Sequence, residues 1–122
     1  MFEISKTYAF EAAHSLPFLP ESHKCHHLHG HSYKVTIKLK SEMLNSNHMV
    51  TDFGDLDAYM DPIIKELDHQ NLNDHFPCTT SECLALEIFN KLRPGVGWRL
   101  CEVEVKETDK TGAKFVSHAV QS

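Results

Sequence analysis

The stretch Cys25-His26-His27-Leu28-His29-Gly30-His31, running straight into Ser32-Tyr33-Lys34-Val35-Thr36-Ile37-Lys38-Leu39-Lys40, decides how this chain is read. Its second half alternates with a period of two. Tyr33, Val35, Ile37 and Leu39 share one face, and Lys34, Thr36, Lys38 and Lys40 share the other, the rhythm of a half-buried strand. Continued backwards, the same parity puts His31 and His29 on the apolar face. Side chains two apart on a strand point the same way, with Cα atoms roughly 6.5–7 Å apart, so both imidazoles can reach one metal ion. On a helix the pair would diverge by about 200°. With Cys25 just upstream, the stretch suggests a metal site beside a reactive thiol.

Working outward, residues 2–14 form a second strand in which Phe2, Ile4, Tyr8, Phe10, Ala12 and His14 share a parity, with Lys6 the exception. His14 therefore also points to the apolar side. Residues 15–28 are a polar loop with Pro17 and Pro20, and 29–40 are the ligand strand. A turn rich in Asn and Ser (41–48) leads to a short strand around Met49-Val50-Thr51. Asp52 caps a helix over about 53–67, with Phe53, Leu56, Tyr59, Met60, Ile63, Ile64 and Leu67 on one stripe. At Pro62 either this helix kinks or a new one begins with Asp61 as cap. Thr79-Thr80-Ser81-Glu82 fits a capping box, opening a helix to about Leu92 that Arg93-Pro94-Gly95 stops. Its core stripe is Ala85, Ile88, Phe89 and Leu92. Strands at 100–107 and around 114–119 complete an α+β order, an antiparallel sheet with helices on one face.

The 122 residues suffice for one domain, 1–122, with a real core. A hydrophobic share of 41% and a charged share of 24% are ordinary for a globular protein. No run approaches a membrane span, and MFEISKTYAF is not a signal peptide. The expectation is a cytoplasmic protein whose four cysteines, Cys25, Cys78, Cys83 and Cys101, stay reduced. A net charge of −5 argues against a nucleic-acid-binding surface. The unusual count is histidine, 10 in 122.

Position decides which of these matter. His14, His29 and His31 form a candidate three-histidine zinc site, leaving a fourth position for water or substrate; the alternative is three hydrogen-bonded core imidazoles. Cys25 is the candidate reactive thiol, its ionisation favoured by Lys24 and the metal. Asp68-His69 is either a carboxylate-imidazole dyad or an ordinary helix C-terminus. Glu107, aimed inward by the strand pattern, needs a strong donor: a buried arginine, of which only Arg93 and Arg99 are available, or a ligand with a fork of N–H groups. His26 and His27 either add positive charge for an anion or face solvent.

Together these residues resemble the 6-pyruvoyl-tetrahydropterin synthase and 6-carboxy-tetrahydropterin synthase family. The matching pieces are Phe10-Glu11-Ala12-Ala13-His14, Cys25-x-x-x-His29-Gly30-His31-Ser32-Tyr33, Asp52-Phe53, Leu67-Asp68-His69, Asn71-Leu72-Asn73-Asp74, Thr80-Ser81-Glu82 and Val105-Lys106-Glu107-Thr108. The short gap between the cysteine and His-Gly-His looks like the 6-carboxy-tetrahydropterin synthases of the queuosine (7-deazaguanine) pathway.

The resemblance implies one zinc ion per chain on His14, His29 and His31, Cys25 as general base, and Asp68 and His69 as its partners in proton transfer. It implies that Glu107 anchors the pterin. Thr80 is a further candidate substrate contact, and Lys24 is the candidate cation for the triphosphate, since a net charge of −5 does not steer a polyanion globally. The implied fold is the tunnelling fold, a four-stranded antiparallel sheet with two helices that assembles into a barrel and a homohexamer of two stacked trimers. The implied substrate is 7,8-dihydroneopterin triphosphate, converted to 6-carboxy-5,6,7,8-tetrahydropterin, acetaldehyde and triphosphate. The same-fold alternative is the pyruvoyl product, and a non-catalytic zinc- or pterin-binding module is the alternative of another class. No nucleic acid or membrane partner is expected.

Overall fold

The computed structural model describes residues 1–118. Strand β1 (Phe2–His14) pairs antiparallel with β2 (His29–Ser41), Phe2 facing Ser41 and His14 facing His29. Helix α1 (Phe53–Leu67) follows, then the two-residue β3 (Gln70–Asn71), helix α2 (Ser81–Val96), β4 (Leu100–Thr108) and β5 (Thr111–Val116). The sheet order is β3-β1-β2-β4-β5. The expected four long strands are present and antiparallel; β3 is an addition, pairing parallel with β1 through Ala12 and Ala13. The final strand ends at Val116, and the part of its expected range at Ala119 lies outside the described residues.

The alternation of apolar residues builds the core as expected. Phe10, Tyr33, Val35, Ile37, Leu39, Val103 and Val105 are buried on one face of the sheet. Leu56, Met60, Ile63 and Leu67 from α1, with Leu84, Ala85, Ile88, Phe89 and Leu92 from α2, complete the same cluster. Phe53 and Tyr59, expected on the core stripe, are exposed. Lys6 breaks the parity of β1 because it has a partner: its Nζ lies 2.7 and 2.8 Å from the two carboxylate oxygens of Asp57 on α1. Tyr8 donates to the same carboxylate at 2.6 Å, so a charged pair and a phenol replace an apolar contact.

Several local expectations give way to chain chemistry. Residues 49–51 are not a strand. Asn45 ties the segment into a turn, accepting from the backbone of Asn47 and Met49 through its side chain while its own N–H donates to the Met49 carbonyl. The two prolines expected to interrupt or stop helices sit inside continuous ones, Pro62 in α1 and Pro94 in α2. Each leaves a carbonyl four residues earlier, on Ala58 and Asn90, without its helical donor. Those four residues are all exposed, so water can replace the bond. Helix α2 therefore runs past Leu92 and ends at Gly97, whose φ of +82° suits a residue without Cβ. Its cap is Thr80 rather than Thr79, with Oγ1 accepting from the Cys83 N–H at 3.2 Å.

The expectation of four reduced cysteines is overturned. Cys78 and Cys83 form a disulfide, while Cys25 and Cys101 are free. The Cα atoms of Cys78 and Cys83 are 5.8 Å apart, a normal disulfide span. The turn into α2 brings them together, folding Cys78 back over the helix's first turn. Buried Cys101 instead donates to the Lys38 carbonyl at 3.2 Å, beside the register shift between Lys38 and Leu39. No helix among the described residues is long and apolar enough to cross a membrane.

Candidate metal centre and adjoining dyad

The register of β1 on β2 sets His14 directly opposite His29, while His31 opposes Ala12 two residues along. Directly opposed side chains stand about 4.5–5.5 Å apart at Cβ, so three imidazoles from two strands meet at one point. One ligand atom from each of His14, His29 and His31 lies within 4.8 Å of the others. The ring centroids are 4.6, 4.9 and 5.2 Å apart, and the planes cross at 63–88°. Rings set so steeply present edges, hence lone pairs, to a shared centre.

Backbone carbonyls choose the tautomers. His14 donates from Nδ1 to the Thr79 carbonyl at 2.8 Å, and His29 donates from Nδ1 to the His27 carbonyl at 2.7 Å. A carbonyl only accepts, so each Nδ1 carries the proton and each Nε2 keeps its lone pair. This is the outer-shell arrangement that orients metal-ligating imidazoles. The Nε2 atoms of His14 and His31 are buried with no hydrogen-bond partner, a costly state unless something else occupies them. Burial pushes the His14 pKa down, the Thr79 carbonyl working against it; burial also lowers that of His31, opposed by Glu107. Both shifts favour the neutral ring, the form a metal ligand requires. An all-nitrogen, three-imidazole set fits zinc with one position open.

The loops after β1 and before α2 hold this geometry. Asn73 clamps Ser15, its side-chain carbonyl accepting from the Ser15 N–H at 2.7 Å and its amide donating to the Ser15 carbonyl at 2.9 Å. The Thr79 hydroxyl donates to that carbonyl too, at 3.3 Å. Tyr33 lies against the rings of His14 and His31 at 6.0 and 5.5 Å and stacks on Phe10. Its buried hydroxyl has no partner, and burial, with Glu107 nearby, drives its pKa upward.

Glu107 is half-buried rather than sealed in the core, so it needs no arginine. Ser81 donates to its Oε1 at 3.0 Å, and His31 Nε2 lies 3.6 Å from Oε2, too far for a hydrogen bond. Cys25 is a half-buried free thiol in the 3-10 turn Lys24–His26, with its carbonyl accepting from the Leu16 N–H at 2.8 Å. Lys24 is exposed on that turn. The rings of His26 and His27 bond carbonyls of their own loop, on Leu19 and Glu21. Thr80, besides capping α2, donates to the Cys78 sulfur at 3.5 Å, since a disulfide sulfur carries no proton.

Asp68 and His69 form a real pair. Asp68 Oδ2 accepts from His69 Nδ1 at 2.9 Å, and its Oδ1 accepts from the Glu11 N–H at 2.9 Å. The Glu11 bond, then His69, hold the Asp68 carboxyl below its ordinary pKa. His69 sits at φ +58°, left-handed for a side chain that pays for it, and its N–H donates to the Glu11 carbonyl at 2.6 Å. Strain of this kind concentrates at functional positions. An open depression of about 520 Å³ is lined by His31, His69, Glu11, Ser32 and Asn71, among others, joining the dyad to the histidine cluster.

Contacts of Thr79, His27, Asn73 and Ser81 were not legible as site contacts. Two act through backbone carbonyls, which every residue has; Asn73 and Ser81 stood out only as motif members.

A four-strand antiparallel scaffold with two helices and three histidines converging on one centre defines a small α+β domain able to hold a metal ion beside an open depression. The family model described as 6-pyruvoyl tetrahydropterin synthase matches residues 3–118, and the chain belongs to that family. It is 40% identical to the 6-carboxy-5,6,7,8-tetrahydropterin synthase of Synechocystis sp., covering 96% of this chain and 95% of that one. Identity to the human 6-pyruvoyl tetrahydrobiopterin synthase is 33%, over 88% of this chain and 86% of that one. Among solved structures, the 6-pyruvoyl tetrahydropterin synthase of Caenorhabditis elegans superposes with a TM-score of 0.84 at 28% identity, covering 95% of both chains. The fold is thus the tunnelling fold of that family.

Proposed function

We propose that this chain is a zinc-dependent 6-carboxy-5,6,7,8-tetrahydropterin synthase of queuosine biosynthesis. It converts 7,8-dihydroneopterin triphosphate and water to 6-carboxy-5,6,7,8-tetrahydropterin, acetaldehyde and triphosphate. The carrying observation is the pair of buried, unpartnered Nε2 atoms on His14 and His31, converging with His29. The choice of product is supported by the 40% identity to the Synechocystis carboxy-forming enzyme and by the short gap from Cys25 to His29.

His14, His29 and His31 would hold the zinc, which when bound would supply Lewis-acid stabilisation of negative charge on the substrate's side-chain oxygens. Cys25 takes a carbon-bound proton beside the ring. His69, its Nδ1 pinned by Asp68, presents Nε2 to take or return a second proton. Glu107, steadied by Ser81, accepts the 2-amino and N3 protons of the pterin and so fixes the register of the side chain. Thr80 and Lys24 complete the substrate contacts, with Lys24 facing the triphosphate. The chain works as a homohexamer of two trimers, whose sheets close into barrels and so cover the edges that β3 and β5 expose.

Incubation of zinc-loaded protein with 7,8-dihydroneopterin triphosphate, with products identified by mass spectrometry, tests this reading. Acetaldehyde with the 6-carboxy product supports it. A pyruvoyl product without acetaldehyde would reassign the chain to the pyruvoyl-forming activity, and no turnover would leave a binding module.

A further inference from the structure

Four residues lie between Cys78 and Cys83, and three of them, Thr79, Thr80 and Ser81, touch the site or its support. Thr79 accepts from His14 Nδ1 through its carbonyl and donates to the Ser15 carbonyl through its hydroxyl. Thr80 caps α2 and donates to Cys78 Sγ. Ser81 donates to Glu107. The disulfide closes this bridge: Cys83 belongs to the first turns of α2, while Cys78 precedes the helix in irregular chain. Both cysteines are half-buried, within reach of a reductant.

We propose that Cys78–Cys83 is a reversible redox site that controls how firmly the bridge holds His14 and Glu107, and so how tightly the histidine cluster binds its metal. The inference rests on the metal reading given above. In the bonded state Cys78 is tethered to the helix, and Thr79 is delivered to His14 with little backbone freedom left to lose. Once reduced, the segment ahead of Thr80 regains that freedom, and ordering it again costs conformational entropy each time the site forms.

The switching step is thiol–disulfide exchange with a dithiol reductant. One of its thiolates attacks a sulfur of the pair; the S–S electron pair leaves on the other sulfur, which takes a proton. The reductant's second thiolate then resolves the mixed disulfide. Cys78 and Cys83 finish as thiols, the reductant finishes as a disulfide, and two electrons have moved. Oxidation by a disulfide reverses it.

Zinc affinity, measured by chelator competition with Zn²⁺ alone, reads the effect without involving Cys25, a third thiol whose state would confuse turnover. Three forms are compared: oxidised wild type, wild type reduced with a phosphine that is then removed, and C78S/C83S, which cannot recruit new thiol ligands. Reduction and the double substitution should each weaken zinc binding roughly tenfold, the scale of losing an outer-shell contact, with unchanged far-UV circular dichroism. In metal-free protein, ¹⁵N spectra should show His14 passing from one Nδ1–H tautomer to a mixture on reduction. Equal zinc affinity in all three forms with a single tautomer throughout would overturn the proposal. So would free, alkylatable Cys78 and Cys83 in protein purified without reductant. Failure of every form to bind zinc would sink the metal reading instead, and the His14 tautomer would still decide for or against the redox site.

Discussion

His14 and Thr79 stand 65 residues apart in sequence and 2.8 Å apart in space, ring Nδ1 to backbone carbonyl. That one bond sets which nitrogen of His14 faces the other two histidines. It also couples the end of β1 to the entrance of α2, so the cluster depends on packing between sheet and helix as well as on strand register.

Acidification should loosen both fold and metal. In the folded chain burial holds His14 and His31 below their ordinary pKa, near 6.5 in an unfolded chain. Below about pH 6.5 the unfolded state therefore binds more protons than the folded one, and stability falls with falling pH. Above that window neither group contributes a slope. Urea midpoints of metal-free protein should drop from pH 7 to pH 5.5, less steeply in His31→Gln; a midpoint that rises on acidification would contradict the assignment.

Tyr33→Phe should leave the protein as stable as before, or more so by about 1 kcal/mol. The lost hydroxyl is buried without a partner, and removing such a group removes its desolvation cost. Denaturant unfolding at neutral pH measures this. A loss of more than about 1 kcal/mol would reveal a hydrogen bond that the hydroxyl makes in solution.

His69→Gly separates stability from function. A glycine accepts φ +58° without the penalty that His69 bears. Stability should hold or rise by up to about 1 kcal/mol, while turnover falls at least a hundredfold, a general acid–base contribution. Retained turnover would remove His69 from proton transfer.

For Glu107→Gln the expected result is weaker substrate binding with zinc retained. The amide keeps the Ser81 contact but presents a donor where the pterin edge offers one too. A KM raised about tenfold or more, the scale of one charge-assisted bond, with unaltered zinc content is the prediction. An unchanged KM would remove the anchor role.

How far the fold could be read in advance follows from periodicity. His29 and His31 were legible because Tyr33 to Leu39 alternate cleanly, and His14 because Phe10 and Ala12 keep its parity. The stripe of α1 was legible only in part: Leu56, Met60, Ile63 and Leu67 are buried, but Phe53 and Tyr59 face outward. Strand β3 is too short to show any period. Pro62 and Pro94 looked like breaks because their exposure, which lets water satisfy the orphaned carbonyls, depends on which side each helix turns to the core. Cys78 and Cys83 match no familiar spacing; the turn that Thr80 caps brings them together. The pairing of Asp68 with His69 became decidable only once the left-handed turn at His69 was visible.

The whole account hangs on the imidazoles of His14, His29 and His31 sharing one ion, and elemental analysis of purified, oxidised protein beside His31→Ala tests that most directly. About one zinc per chain is expected in the parent, with folded but zinc-poor material in the variant. Zinc bound equally by both proteins, or by neither, would contradict it.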